Sequence, residues 1–175
     1  MKQKIIKAAL KICEKEGYES FSMRKLATNL GFDPMAIYYY FENKEALTHA
    51  MVEHIFSRFQ KEMILAYKPS KRNLQKILQE YWILFLDYPG MSLYLIKYSY
   101  NNFNSVVEFN KSLQFLIQQV YPTAKTEMVL NILIDFIHGN ALAFSFIPKG
   151  KKKIESIRSN QKEFQSSLSY LLNSI

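Results

Sequence analysis

Between residues 22 and 44 the chain gathers the Ser22 hydroxyl, the Arg24 guanidinium, the three consecutive phenols of Tyr38, Tyr39 and Tyr40, and the Lys44 ammonium. A guanidinium can fork onto a guanine edge, whereas hydroxyls and an ammonium suit phosphate oxygens. Among them stand Pro34, Met35 and Ala36, small or apolar side chains that can touch a thymine methyl but cannot make bidentate hydrogen bonds. This is the chemistry of holding a polyanion. Three successive aromatics on one short helix cannot all be buried, since neighbours point about 100° apart. At least one ring must look outward; the alternative use of the others is packing the core of a small helical unit.

A second polar set, Asn131, Asp135, His138 and Ser145, is spaced at offsets 0, 4, 7 and 14 within an otherwise apolar stretch. That spacing draws one line along a helix. It has three possible destinations: a pocket, solvent, or a local Asp135–His138 pair. Enzyme chemistry finds little support. There is no glycine-rich phosphate loop, no G-x-S-x-G and no paired Cys/His spacing. His49 and His54 are five apart, one residue off the spacing that lets two helical histidines share a metal. Neither a cofactor nor a metal is expected.

The elements that position these groups are read from breakers and caps. Helical periodicity runs almost throughout, with no period-2 strand, which predicts an all-α protein of about nine helices. Ile5, Ala9, Ile12 and Cys13 give the first helix a buried stripe, stopped by Gly17. Ser22 caps the second, with Phe21 and Leu26 as its hydrophobic staple and Gly31 as its stop. Asp33 caps a third, with Pro34 at its first position and Phe32 stapled to Ile37. Asn43 caps a long fourth running to about residue 67. Further helices are expected over 71–88, 91–100, 103–121, 126–147 and 151–173, separated at Pro89-Gly90, Asn101-Asn102, Pro122 and Pro148-Gly150. Two short helices joined by a Gly-containing turn and braced by a third make a helix-turn-helix, whose second helix offers its N-terminal residues to the DNA major groove.

Composition sets the bounds. The chain has 175 residues, a formal charge of +8 and one cysteine, so an internal disulfide is excluded and a reducing, cytoplasmic setting is expected. Residues 1–45 hold eight Lys/Arg against six Asp/Glu, so basicity alone does not identify a nucleic-acid partner. The lysines at 4, 7, 11 and 15 read as a solvated helix face. Lys7 and Lys11 interrupt the only apolar run near the start, which argues against a secretory signal. Asp135, His138 and Asn140 interrupt the run from 128 to 148, which reads as a buried helix and not a membrane span.

Residues 4–52, from "KIIKAALKICEKEG" through "SMRKLATNLGFDPMAIYYYFENKEALTHAMV", resemble the DNA-binding region of the tetracycline-repressor (TetR) family. The matching pieces are the "AA…EG" helix, "LA..LG", "Y.YF" and "NKEAL", in order and at family spacing. The resemblance implies a helix-turn-helix domain over 1–46 and a helical ligand-binding and dimerisation domain over 47–175. It implies a homodimer on a pseudopalindromic DNA operator, most simply a repressor released by a small effector. It also implies that Arg24, Pro34, Met35 and Ala36 face bases while Ser22, Tyr38, Tyr40 and Lys44 hold the backbone; Tyr39 is expected along the groove wall. Many members carry Ser and Gly where this chain has Asp33-Pro34-Met35-Ala36, and Tyr40 replaces a commoner His, so the operator sequence does not transfer from relatives. The rival readings are a helical small-molecule or lipid carrier with a degenerate motif, and an activator.

In the C-terminal part, "EYWILFLDY" (80–88) is apolar nearly all round, as in a helix surrounded by others. Tyr81, Trp82, Phe85, Tyr94 and Tyr98 are the expected aromatic walls of an effector cavity, with Asp135 and His138 as its polar groups. The effector is then aromatic or amphipathic: cationic if it must partner a buried Asp135 carboxylate, neutral if His138 does so. The last helix carries Ile157, Phe164, Leu168 and Leu171 in a three-and-four seam suited to helix association. The resemblance places an intersubunit four-helix bundle on the last two helices; the alternative is packing within the chain.

Overall fold

The computed structural model describes residues 1–17, 21–64, 67–88, 90–145 and 151–175, without the side chains of 64, 144, 145, 151–156, 158 and 159. Among them are nine α-helices and no strand. They are α1 (Lys2–Glu16), α2 (Met23–Leu30), α3 (Pro34–Tyr38), α4 (Lys44–Phe59), α5 (Lys71–Asp87), α6 (Met91–Tyr98), α7 (Asn104–Val120), α8 (Thr126–Ser145) and α9 (Lys151–Asn173).

The caps form as the sequence dictates. Lys25 N–H donates to Ser22 Oγ (3.2 Å), Met35 N–H to Asp33 Oδ1 (2.7 Å) and Ala46 N–H to Asn43 Oδ1 (2.8 Å). Each meets one of the N–H groups that a helix start leaves open. Gly31 ends α2 with φ 69°, a left-handed conformation that a side chain would strain. An ion pair between Lys25 and Glu16 ties α2 to α1.

Two helices end earlier than their sequence suggests. α4 is regular to Phe59 and continues as a π-helical turn, Gln60–Ile64, where Gln60 Nε2 donates to Ser112 Oγ at 3.0 Å. α6 stops at Tyr98 because Ser99 takes φ 60° and ψ 124°, and a 3-10 turn, Tyr100–Asn102, follows. Neither end carries a Pro or Gly, the two residues from which helix stops are read.

α4 packs against α1 on one side and α7 on the other, while α5 is laid against α8 and α9. One contiguous cluster of buried residues runs from Ile5 in α1 to Leu172 in α9. Its centre is aromatic: Phe56, Phe59, Tyr81, Phe85 and Phe109 meet edge-on or tilted at centroid distances of 4.8–6.5 Å. Such geometries place positive ring edges on negative faces. No helix among the described residues is long and apolar enough to cross a membrane.

Candidate nucleic-acid interface and cavity

The short α3 is anchored by Ile37, which is fully buried, and by Phe41 just beyond it. Those anchors leave Pro34, Met35 and Ala36 facing solvent, with Met35 72% exposed. Ser22 and Arg24, at the start of α2, are exposed as well. The tyrosine run does not lie on one helix. α3 ends at Tyr38, and the backbone then turns: Tyr39 N–H donates to Met35 O (2.9 Å) and Tyr40 N–H to Ile37 O (3.0 Å). Tyr38 is exposed, Tyr39 is 82% exposed, and Tyr40 is half-buried against the core with its ring edge-on to Tyr39 at 5.0 Å. Lys44 opens α4, its ammonium 5.5 Å from the Phe21 ring centroid. An apolar, exposed segment flanked by hydroxyls and cations is therefore a geometric fact of this surface.

The second site is a cavity of about 610 Å³ among α5, α6, α7 and α8. Leu95, Ile96, Val106, Leu130 and Ile134 form its apolar lining; Lys111, Gln114, Glu127, Asn131 and Asp135 supply charge and amides. Tyr81 and His138 also line it, joined by a hydrogen bond of 2.9 Å between the phenol oxygen and Nε2. Burial holds the imidazole well below its usual value, to about 4, against the opposing negative charge of Asp135. Burial likewise pushes the Tyr81 phenol upward, so the pair is neutral at pH 7.

Of the residues expected to form the cavity, Tyr81, Asp135 and His138 border it and the other four pack elsewhere. Trp82 donates Nε1–H to Asn140 Oδ1 (2.7 Å) and stacks on Phe164. Phe85 lies inside the aromatic centre, 4.4 Å from the His138 ring centroid. Tyr94 is buried against Tyr98 and Phe103. The polar line resolves into the cavity: Asn131, Asp135 and His138 all line it, whereas the side chain of Ser145 lies outside the described residues. Asp135 is nevertheless solvent-exposed, not a buried carboxylate, so burial does not oblige it to find a cation. Asn110 and Gln114 on α7 were missed. Two amides four residues apart, beside the buried Val106, Phe109 and Leu113, were the signal.

The seam on α9 is also corrected. Phe164 is 2% exposed and sandwiched between Trp82 (4.4 Å, 12°) and Phe136 (5.3 Å, 10°), and Leu168 is completely buried. Both therefore serve the chain's own core and are not available to a partner. Ile157 packs partly against that core, and Leu171 is half-buried. Among the described residues, the large apolar side chains exposed on α8 and α9 are instead Met128, Ile132 and Tyr170.

One consequence concerns pH. The unfolded imidazole of residue 138 takes its proton near 6.5, the folded one only near 4, so the unfolded state binds more protons between those values. Stability should be constant above this window and fall as pH drops through it, by at most about 3 kcal/mol from this group. Burial and the charges of Lys7 and Arg58 lower the pKa of His54 too, adding loss of the same sign. In urea titrations from pH 7.5 to 4.5, His138→Gln should show a shallower decline than wild type; identical slopes would remove His138 from the account.

Residues 5–51 match the family model described as bacterial regulatory proteins, tetR family. Over 99% of this chain and 97% of the relative, the sequence is 21% identical to the negative transcriptional regulator IcaR of the biofilm operon icaADBC in Staphylococcus aureus. The fold superposes on TetR from Acinetobacter baumannii AYE with a TM-score of 0.69 at 18% identity, covering 99% of this chain and 95% of that one. A variant of that protein solved in complex with minocycline gives 0.66 at 19% identity, with 99% and 95% covered. The matched residues hold most of α1 and all of α2 and α3, the helix-turn-helix region, and the relatives named here are transcriptional regulators. Over residues 5–51 the chain matches the tetR family, and over nearly its whole length its fold is similar to that of TetR.

Proposed function

We propose that the protein is an effector-released repressor that binds a pseudopalindromic operator as a homodimer. The observation that carries this reading is the position of α4, which begins beside the exposed recognition segment and packs along α7, a wall of the cavity. Occupying the cavity can then bias the tilt of the DNA-reading unit. Repression is supported by the likeness to IcaR, a negative regulator, and a small effector by the relative solved with minocycline. Arg24, Pro34, Met35 and Ala36 read bases; Ser22, Tyr38, Tyr40 and Lys44 hold phosphates; Tyr39 lies along the groove. Half-sites about one helical turn apart, roughly 35 Å or slightly more, suit two such units. The DNA-reading unit occupies 1–46 and the effector and dimerisation unit 47–175. Dimerisation uses the outer faces of α8 and α9 around Met128, Ile132 and Tyr170.

The effector is an amphipathic aromatic. Its body lies on Leu95, Val106, Leu130 and Ile134, and its polar end reaches the neutral Tyr81–His138 pair. A ligand releases DNA only if it prefers the conformation with misplaced recognition helices. The test is fluorescence anisotropy of a labelled duplex, selected from a randomised pool by the protein itself. Cationic, neutral and anionic aromatics are titrated against wild type and Asp135→Asn. Release by neutral aromatics from both proteins is expected. A pool that yields no preferred duplex would leave the carrier reading in place; a preferred duplex that no aromatic releases would remove the effector.

On the same duplex, Lys44→Ala should weaken binding to every sequence and flatten the salt dependence by about one unit. Arg24→Ala should instead relax preference at a single base pair, by about 1–3 kcal/mol. Equal losses on specific and random DNA for Arg24→Ala would show that it reads no base.

A further inference from the structure

α7 turns one stripe toward the cavity. Val106, Asn110 and Gln114 stand four residues apart, so they share one helix face, and all three line the cavity wall. Val106 is 2% exposed, so the stripe begins inside the core and not at the surface. Two of its members carry carboxamides, on a helix whose Phe109, Leu113, Leu116 and Ile117 are buried.

The charges of the cavity lie further out. Lys111 is paired with Glu108 at 3.0 Å and both are exposed; Glu127 and Asp135 are exposed as well. The polar groups set deeper are uncharged at pH 7. They are the Tyr81 phenol and the His138 imidazole, bonded to each other, and the Asn110 carboxamide.

Asn110 differs from that pair in lacking a partner. Among the described residues three buried side-chain oxygens have no hydrogen bond, Glu53 Oε1, Ser105 Oγ and Asn110 Oδ1, and Asn110 is the one that belongs to the cavity wall. A buried amide oxygen without a donor is costly, and folded chains leave few of them. The Asn110 side chain is half-buried with this oxygen turned inward. The last torsion of an Asn side chain is broad, so a turn of the carboxamide brings the oxygen to a molecule lying in the cavity. A carboxamide offers C=O and NH2 side by side. Its complement is an edge on which a donor stands beside an acceptor.

We propose that Asn110 selects the effector, and that the molecule it selects is an uncharged planar heterocycle with a ring N–H next to a C=O, a lactam edge. The inference rests on the effector-released repressor reading and narrows its aromatic effector to one chemical class. The ring N–H donates to Asn110 Oδ1, and the lactam oxygen accepts from Asn110 Nδ2. The flat body lies on Leu95, Leu130 and Ile134. This edge is a second polar contact beside that with the Tyr81–His138 pair.

The test measures binding by calorimetry on the full-length protein without DNA. The probes share nearly one shape: carbostyril, a benzo-fused lactam; coumarin, with a ring oxygen in place of the N–H; and N-methylcarbostyril, whose N–H is capped. Carbostyril should bind about 10–100-fold more tightly than either analogue, because each analogue leaves the amide oxygen unpaired. Asn110→Leu, similar in size, should remove that preference by weakening carbostyril, while coumarin binds as well or better. Asn110→Asp keeps an acceptor at the same place and should retain the preference. Equal affinity of wild type for carbostyril and coumarin overturns the proposal, as does no carbostyril binding at millimolar concentration. So does a preference that survives Asn110→Leu. The same probes are then titrated against the complex with the pool-selected duplex. Carbostyril that binds with the stated preference yet leaves the duplex bound removes the effector-released reading, and the assignment of Asn110 to the lactam edge stands.

Discussion

Phe164→Ala should lower the unfolding free energy by about 3–5 kcal/mol in a urea titration. The ring is 2% exposed and lies parallel between Trp82 and Phe136, so its loss opens a void that two flat neighbours on separate helices cannot both close. The cost therefore combines lost transfer free energy with an unfilled cavity. It should fall on the α5–α8–α9 packing and show as a lower urea midpoint with an unchanged slope. A shift below about 1 kcal/mol would mean that the aromatic stack is not what holds α9 to the body.

The opposite result is expected of Ile132→Arg. Ile132 is half exposed on the outer face of α8, away from the core, so the chain should keep its helix content. A charge there must be desolvated if a second copy packs on that face. The variant should sediment as a monomer at micromolar concentration and bind the selected duplex about 10²–10⁴-fold more weakly, because one half-site forfeits the effective concentration that linkage provides. A dimer retained with full affinity would move the interface off Met128, Ile132 and Tyr170. Phe164→Ala should thus destabilise the fold, whereas Ile132→Arg should change association and leave the fold intact.

Much of the DNA-reading unit was legible in the sequence because its rules are local. A cap is a Ser, Asp or Asn followed by an N–H two or three residues away, and Ser22, Asp33 and Asn43 each make that bond. The cavity is a different kind of object. Trp82 and Phe85 belong to a helix apolar on most sides, and periodicity cannot tell which of those sides meets a void and which meets another ring. The α9 seam misled for a related reason. A three-and-four spacing specifies that a helix face is covered but says nothing of whether the cover comes from the same chain. The break after α6 was legible to within two residues from Asn101-Asn102, but the positive φ of Ser99 was not, since no Gly marks it.

The unbroken core has a consequence for modularity. Ile6, Leu10 and Cys13 of α1 are buried, and the helix that α1 packs against, α4, carries Met51, Val52 and Ile55 as buried residues beyond the last cap of the DNA-reading unit. A piece ending at residue 46 would lift that apolar face into water, at about 25 cal/mol for each Å² uncovered. Residues 1–46 are therefore not a cassette that can be cut out and grafted onto another body. A chimera meant to keep residues 1–46 folded should therefore carry α4 through Phe59 as well, because the buried face of α4 is part of the support of α1.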